Sequence, residues 1–553
     1  MGGSGSKTKG VWPFSSSGAG GEAPGEVTEQ CLARLRGSKN ATPFVFTRRS
    51  SLYFDEDGDL AHEFYEETVV TKNGRKKAKL KRIQKNLIPQ LHLRIWLLVP
   101  LALDRLALAE DLKPTRWPLY PEKPLVLVWN APTEDCRPRH KVHLQLEQFQ
   151  IVASPNEGFT KQNLTMFYKD RLGLYPHFEG GVAVNGGLPQ VASLTHHREK
   201  IPEGIAKYIP DPSARGLAVI DWEEWRPIWI RNWEAKDIYK SQSRLLVAQK
   251  KTGWTSTQIS KTAQQEFEMS SRMFMLETLR MAKSLRPNQL WGFYLFPDCY
   301  NHDYRNSLEN YTGRCPDAEV ARNDQLKWLW NESTALFPSI YMSSKLRSTS
   351  SGRQFVRNRV KEGMRLALVG EGLARPVFVY TRPTYAKELE LLTEMDLVST
   401  IGESVALGAA GIVFWGEATY ASTNASCSSL NQYLRGPLGR YLLNVSTAAE
   451  QCSRFLCTSH GRCLRRHADK DTYLHLDPQT HTIVGQGKEL HVKGDVSAEE
   501  QQRMSEDFQC QCFSGYQGER CDHEDPLQQR GDGHALKALW IYLLTPLLLH
   551  ILS

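Results

Sequence analysis

The sequence predicts an α/β chain: a distorted, TIM-like β/α barrel of about seven strands, followed by a cysteine-rich module. Three observations carry that reading. Short apolar runs recur at residues 124–129, 149–153, 216–220, 290–296, 337–342, 377–380 and 411–415. Between them lie stretches with 3.6-residue periodicity, such as 266–285 and 386–409, so strands alternate with helices and a parallel sheet follows. Several runs also end in polar or aromatic residues, namely Asp221 and Glu223, Tyr294, Tyr341 and Trp415. In a barrel such ends converge on one mouth, where active sites are built.

The chain begins with residues 1–90, which are Gly/Ser-rich, then acidic, then strongly basic from Lys72 to Lys85. Composition of this kind predicts disorder or an extension introduced by the gene model. Residues 91–109 read as a signal peptide. A basic flank with Arg94 precedes the apolar core Ile95-Trp-Leu-Leu-Val-Pro-Leu-Ala-Leu103, and Ala107-Leu-Ala109 forms a small-x-small cleavage pattern. Its position is unusual, because no methionine lies between Met1 and Met166.

The barrel is expected over residues 120–445. After it, Cys452-x4-Cys457-x5-Cys463 and Cys510-x-Cys512-x8-Cys521 enclose His460-Gly461 and the turn Gly515-Tyr-x-Gly518. This is the pattern of an EGF-like module over 446–522, expanded between Cys463 and Cys510, and small modules of this kind depend on their disulfides. The end of the chain, 523–553, carries small residues at Gly531, Asp532 and Gly533, a polar spacer, and the apolar tail from Ala538 to Leu552. That is the layout of glycosylphosphatidylinositol (GPI) attachment at Gly531, Asp532 or Gly533 with loss of the tail.

Composition supports export. The 11 Cys include Cys31 in the extension, leaving ten downstream of the signal, enough for five disulfides. Sequons stand at Asn163, Asn310, Asn331, Asn424 and Asn444. The formal charge is +8, but residues 1–94 hold 16 Lys+Arg against 10 Asp+Glu, so the remainder carries 53 − 51 = +2. A nearly neutral body argues against nucleic acid as a partner.

Asp221-Trp-Glu223 is the most informative motif. Strand side chains alternate, so the two carboxylates share a face while Trp222 points the other way. Like charges that close cannot both ionise freely, and one proton is held at a raised pKa. Glycosidic chemistry needs a carboxylic acid still protonated beside a charged partner. A solvated acidic strand end is the competing structural reading. Glu224 faces away from Glu223 and reads as support.

These motifs, with Leu172-Gly-Leu-Tyr-Pro176, Gly186-Gly-Leu-Pro-Gln190, Trp291-Gly-Phe-Tyr294-x-Phe-Pro297-Asp-Cys299-Tyr-Asn, Tyr311-Thr-Gly-x-Cys315-Pro, Phe337-Pro-Ser-Ile-Tyr341 and Trp415-Gly, resemble the animal hyaluronidases over roughly residues 120–522. The apolar tail and the run Ser154-Pro-Asn-Glu-Gly158 look most like the lipid-anchored type within that family. The resemblance implies a distorted seven-stranded barrel that hydrolyses the β-1,4 bond between N-acetylglucosamine and glucuronate in hyaluronan. It makes Glu223 the general acid and base. It makes Asp221 the carboxylate that shares a proton with Glu223 and positions the substrate acetamido group, whose oxygen is the nucleophile. Tyr294 and Tyr341 align with tyrosines that hold that acetamido group, Trp415 with a tryptophan walling its subsite, and Tyr175 with the cleft lining. The same resemblance pairs Cys136–Cys427, Cys299–Cys315, Cys452–Cys463, Cys457–Cys510 and Cys512–Cys521.

The resulting expectation is an enzyme on the extracellular face of the plasma membrane, held by a lipid anchor, with an endocytic or lysosomal pool. Hyaluronan is its expected partner, with chondroitin as an alternative substrate and a hyaluronan-binding receptor of little turnover as the rival class. No cofactor and no metal are implied, since His-Glu-x-x-His is absent and His196-His197 sits in a polar run that reads as surface.

Overall fold

The computed structural model describes residues 112–154 and 162–525, and the backbone of five strands between residues 53 and 89. The chain divides into two units, 1–108 and 109–553. The signal segment, residues 526–553 with their three candidate attachment sites, Cys31, and positions 155–158 of the run after Ser154 lie outside the described residues.

In the first unit, Phe64–Lys72 and Arg75–Ile83 pair antiparallel over nine residues, with Glu66 opposite Lys81 and Lys72 opposite Arg75. This corrects the expectation of disorder for that stretch. The sequence between the strands is Asn73-Gly74, the pair most favoured for a two-residue hairpin connection.

In the second unit seven strands run parallel: β1 (Val126–Asn130), β2 (Ile151–Val152), β3 (Leu164–Phe167), β4 (Gly216–Ile220), β5 (Gln289–Phe293), β6 (Phe378–Thr381) and β7 (Gly411–Trp415). They form two groups, β2-β1-β7-β6 and β3-β4-β5. Single parallel bridges, Tyr294 to Phe337, Leu336 to Val377 and Ser339 to Tyr380, set residues 336–339 between β5 and β6. The expected strand at 337–342 is therefore an irregular extended segment. Pro338 lacks a backbone N–H and cannot sustain a ladder there. Strand β3 was not expected at all, and the run 149–153 shortens to two paired residues.

Helices fill the crossovers, as parallel strands require. They are α1 (Leu194–Tyr208), α2 (Asp237–Lys250), α3 (Ser256–Leu285) and α4 (Ser350–Ala367). The Thr255 hydroxyl accepts from Gln258 N while the Gln258 side chain reaches back to Thr255 N, a capping box that starts α3 ten residues before the periodicity suggested. The helix expected over 386–409 is instead two short turns, Glu394–Leu397 and Glu403–Ala406, joined through a π-helical turn, Val398–Gly402. Its first half is a loop that turns at 386–388, across which Thr384 bridges Leu391 antiparallel, and Thr393 caps the helical turn that follows.

Alternation along the strands sorts their side chains into two apolar clusters. Leu127 and Trp129 of β1, Ala218 and Ile220 of β4, Trp291 and Phe293 of β5 and Ile412 and Phe414 of β7 join the larger one, with the helices. Val126, Val128, Leu164, Met166, Leu217, Val219, Leu290, Phe378, Tyr380 and Val413 form the other. Burial on both faces is why these strands read as continuous apolar runs. At Gly292 a Cβ would collide with the Ala335 carbonyl, so only glycine lets residues 335–337 approach β5.

The cysteine-rich part begins on helix α5 (Pro437–Leu456) and continues as β8 (Gly461–Arg465) paired antiparallel with β9 (Phe508–Cys512). Its bridges Cys452–Cys463 and Cys457–Cys510 interleave and Cys512–Cys521 closes a separate loop after them, while Cys136–Cys427 and Cys299–Cys315 tie the parallel-strand region. The long interval after Cys463 holds a hairpin, His481–Val484 with His491–Gly494, and a helix, Ala498–Asp507. Glu403, with no exposed surface, binds Arg357 of α4 (Nε to Oε1 2.7 Å, Nη2 to Oε2 3.0 Å) and Arg465 of β8. Of the sequon residues, Asn163, Asn310, Asn331 and Asn424 are exposed, whereas Asn444 is half-buried in α5 with its Oδ1 accepting from Leu476 N at 3.1 Å.

Candidate active site

The site follows from the alternation just described. Each strand feeds the second cluster with every other residue, and counting two further positions beyond its end gives the next side chain on that face. From Leu217 and Val219 the count reaches Asp221 and then Glu223; from Leu290 and Gly292 it reaches Tyr294. From Val413 it reaches Trp415, and from Phe337 and Ser339 it reaches Tyr341. Tyr294, Tyr341 and Trp415 pack against this cluster while keeping part of their surface exposed. Trp222, one step out of phase, is buried in the larger cluster and stacks on Tyr175 with ring centroids 4.4 Å apart. The structure thus places the two carboxylates and the three aromatic residues at one end of the same face.

The two carboxyls differ in environment. Asp221 is held by its backbone, whose N–H donates to Phe167 O at 2.9 Å. Burial pushes the Asp221 carboxyl up to about 7, and the neighbouring Glu223 charge adds to the shift. The proton expected on one member of the pair is therefore favoured on Asp221. The Glu223 side chain is 43 % exposed, open to an incoming ligand. Its Oε2 lies 3.4 Å from Nη2 of the buried Arg226, whose Nη1 also donates to Glu223 O at 3.1 Å. Lys236 Nζ donates to the same carbonyl. Burial and then the Arg226 charge lower the Lys236 pKa. These two cations fix the backbone at Glu223 and leave its carboxylate facing the cleft. Glu224 turns away and meets Lys169 Nζ at 3.5 Å.

Opposite the carboxylates, Tyr294 donates its hydroxyl to the Tyr341 hydroxyl at 3.0 Å. Burial raises both phenols, Tyr294 further through Glu223 and Tyr341 further through Tyr294, so both stay protonated donors at any working pH. Tyr341 stacks on Trp415 with centroids 5.8 Å apart and planes 21° apart. Behind the stack, the buried Arg382 guanidinium lies 5.2 Å from the Trp415 ring and donates to Glu417 Oε1 at 2.9 Å. Stacked aromatics backed by a cation make a flat, rigid wall.

Tyr175, expected to line the cleft, has no exposed surface; its hydroxyl receives Trp225 N at 3.4 Å beneath the site. That expectation is corrected, because the residue acts only as a support for Trp222 and Trp225. His197 is likewise not a surface residue. It is fully buried, accepts from Leu174 N at 2.9 Å and meets Thr278 Oγ1 at 2.8 Å, and burial lowers its pKa to about 4.

Sequence reasoning missed Asn130, Tyr168 and Arg382, which lie two positions beyond Val128, Met166 and Tyr380 on the same face. Burial lifts the Tyr168 phenol to about 12, and the Asp221 charge adds to this, so these two groups are neighbours. The signal that marks them is the parity of their strands, the same that marks Asp221 and Tyr294. Among the described residues no group of three or more His, Cys, Asp or Glu side chains could hold a metal ion.

The chain is 49% identical over 438 residues to hyaluronidase-2 of Rattus norvegicus, covering 78% of this chain and 92% of the relative. It is 51% identical to hyaluronidase-2 of Homo sapiens, covering 75% of this chain and 89% of that protein. The solved structure of bee venom hyaluronidase in complex with a hyaluronic acid tetramer is 29% identical, covering 57% of this chain and 98% of its own, with a TM-score of 0.49. A separate family, tumour suppressor candidate 2, matches residues 1–96. The family description hyaluronidase matches residues 114–525, and the chain belongs to that family and is a glycoside hydrolase.

Proposed function

We propose that this chain cleaves hyaluronan at the β-1,4 bond between N-acetylglucosamine and glucuronate, with retention of configuration and with the substrate's own acetamido oxygen as nucleophile. The observation that carries the reading is the placement of Asp221 and Glu223 on one face opposite the Tyr294–Tyr341 pair. A conventional retaining pair attacks from opposite sides of the bond, whereas adjacent carboxylates leave one side for a nucleophile from the sugar. The proton that Asp221 and Glu223 share passes through Glu223 to the glycosidic oxygen as the C1–O bond breaks and the acetamido oxygen bonds to C1. Asp221, close to Glu223 and favouring its protonated form, hydrogen-bonds the acetamido group and moderates the charge there. The phenols hold the acetamido oxygen at its attack angle, and the Trp415 face receives the acetamido methyl. Water, deprotonated by Glu223, then opens the cyclic intermediate on the face first occupied by the leaving group.

The eight parallel segments that feed one inner apolar cluster support a distorted barrel, and two interleaved bridges followed by a separate third in residues 446–522 support an EGF-like module. The small-residue site at 531–533 and the apolar tail support attachment by a lipid to the outer face of the plasma membrane. No helix among the described residues is long and apolar enough to cross a membrane.

The test is to incubate the protein and its Glu223→Gln variant with hyaluronan from acidic to neutral pH and follow polymer length. Shortening by the wild type alone is the expected result. Intact polymer that still binds would make the protein a receptor, and cleavage by the variant would remove Glu223 from the role of acid.

A further inference from the structure

Away from the cleft, residues 141–145, the helix Asn424–Arg435, the first turn of α5 and Gln486 enclose an open cavity of about 790 Å³. Its wall carries Lys141, His143, Arg435 and Arg440 and no carboxylate. Arg440 Nη2 donates to Ile483 O at 2.8 Å and Lys141 Nζ to Pro138 O at 3.0 Å, so backbone carbonyls hold these cations without neutralising them. No ion pair among the described residues involves Lys141, Arg435 or Arg440. The amides of Gln145, Asn431, Gln432 and Gln486 interleave with the cations, and Gln145 N donating to Asn431 Oδ1 at 3.1 Å ties the loop to the helix.

Three uncompensated cations in one concave wall attract anionic groups, and the arginine forks suit carboxylates and sulfates in particular. Side-chain amides complement hydroxyl groups, which a lone inorganic anion would leave unused. Bases of a nucleic acid would need aromatic platforms, and the imidazole of His143 is the one ring in the lining. The volume falls within the range that takes a ligand of several rings.

We propose that this cavity is a second, non-catalytic binding site for an acidic oligosaccharide, whose carboxylates or sulfates meet Lys141, Arg435 and Arg440 and whose hydroxyls meet the amides. It goes beyond the catalytic reading and does not depend on it. A polymer bound there is held near the protein while its chain is free to reach the cleft, an effective-concentration gain that needs no new contact at the reacting sugar.

The test uses the full-length Glu223→Gln protein and hydrogen exchange, with hyaluronan hexasaccharide, sulfated chondroitin hexasaccharide and neutral chitohexaose as probes. Either acidic probe is expected to protect peptides spanning 139–146 and 428–440, and comparison of the two identifies the preferred anion. Adding Lys141→Gln, Arg435→Gln and Arg440→Gln together, all exposed positions, removes that protection and weakens binding there by about tenfold or more, while protection around 221–226 is kept. Unchanged exchange in residues 216–220 shows that the triple variant is folded. Protection confined to the cleft, equal protection by chitohexaose, or protection that survives the triple substitution would overturn the proposal. Failure to cleave hyaluronan would instead overturn the proposed catalysis and leave this site standing.

Discussion

The hydroxyls of Tyr294 and Tyr341 meet at 3.0 Å although the segments that carry them share one bridge, Tyr294 to Phe337, and a few backbone hydrogen bonds rather than a regular ladder. Tyr294 is the donor, so the Tyr341 proton is left for a ligand, and the two phenols act as a unit. Tyr294→Phe is expected to lower kcat by about a hundredfold with a smaller change in KM, because positioning acts on the reacting geometry more than on binding. Tyr341→Phe should cost at least as much. The double variant should lose less than the product of the two, and steady-state kinetics on hyaluronan oligosaccharides checks this. Strict multiplicativity would mean that the phenols work separately.

Asp221 gives a pH signature to stability. Burial pushes its carboxyl up to about 7 in the folded protein, from an ordinary value of 3.8, so near neutral pH the folded chain holds a proton that the unfolded chain has lost. The associated stabilisation is full below about pH 4 and is lost as pH rises through about 7. Asp221→Asn removes that dependence, so the variant should gain stability relative to wild type between pH 5 and pH 8. Urea unfolding at the two values measures it, and a difference that does not change with pH would refute the assignment.

Glu403→Ala leaves Arg357 and Arg465 buried without their shared anion. Loss of one partner in a buried pair costs about 3–5 kcal/mol, and Glu403→Gln, which keeps hydrogen-bond acceptance, should cost less. Denaturant melts of both variants provide the comparison. Because Arg357 lies on α4 and Arg465 on β8, the effect should reach exchange rates in the cysteine-rich part as well.

Gly292→Ala tests the close approach of residues 335–337 to β5. The added methyl meets a backbone carbonyl, which cannot rotate away, so a loss of about 1–3 kcal/mol is expected. Tyr294 is two residues on, and activity should fall more than stability alone accounts for. A variant with wild-type melting and turnover would show that the backbone shifts freely here.

Much of this site was legible in the sequence because it obeys a period of two. Asp221, Glu223, Tyr294 and Trp415 each end an apolar run in phase with it, and the phase survives whatever packs around the strand. Asn130, Tyr168 and Arg382 carry the same signal; for Tyr168 the run itself was hidden, because β3 has only four residues and Thr165 interrupts its apolar pattern, whereas Asn130 and Arg382 follow recognised runs as polar residues just beyond their ends. Tyr175 and His197 were illegible for a different reason. Tyr175 lies in a loop, and its burial is decided by Trp222, far away in sequence; His197 is in phase with the buried Ile201 and Ile205 of α1, but the polar residues around it obscured that face. At the π-helical turn 398–402, Tyr441 lies so close to Gly402 that a Cβ there would meet its hydroxyl, a tertiary contact that the local sequence does not display.

The division of β4 between two clusters has a consequence for chain length. Deleting or inserting one residue within Gly216–Ile220 would exchange the two faces, turning Trp222 into the cleft and driving both carboxylates against Tyr175 and Phe293. Substitutions at these positions can be graded by size or charge, but a change of count cannot. The spacing between Gly216 and Glu223 is thus under a constraint of its own, one that would tolerate many residue types and no shift in frame.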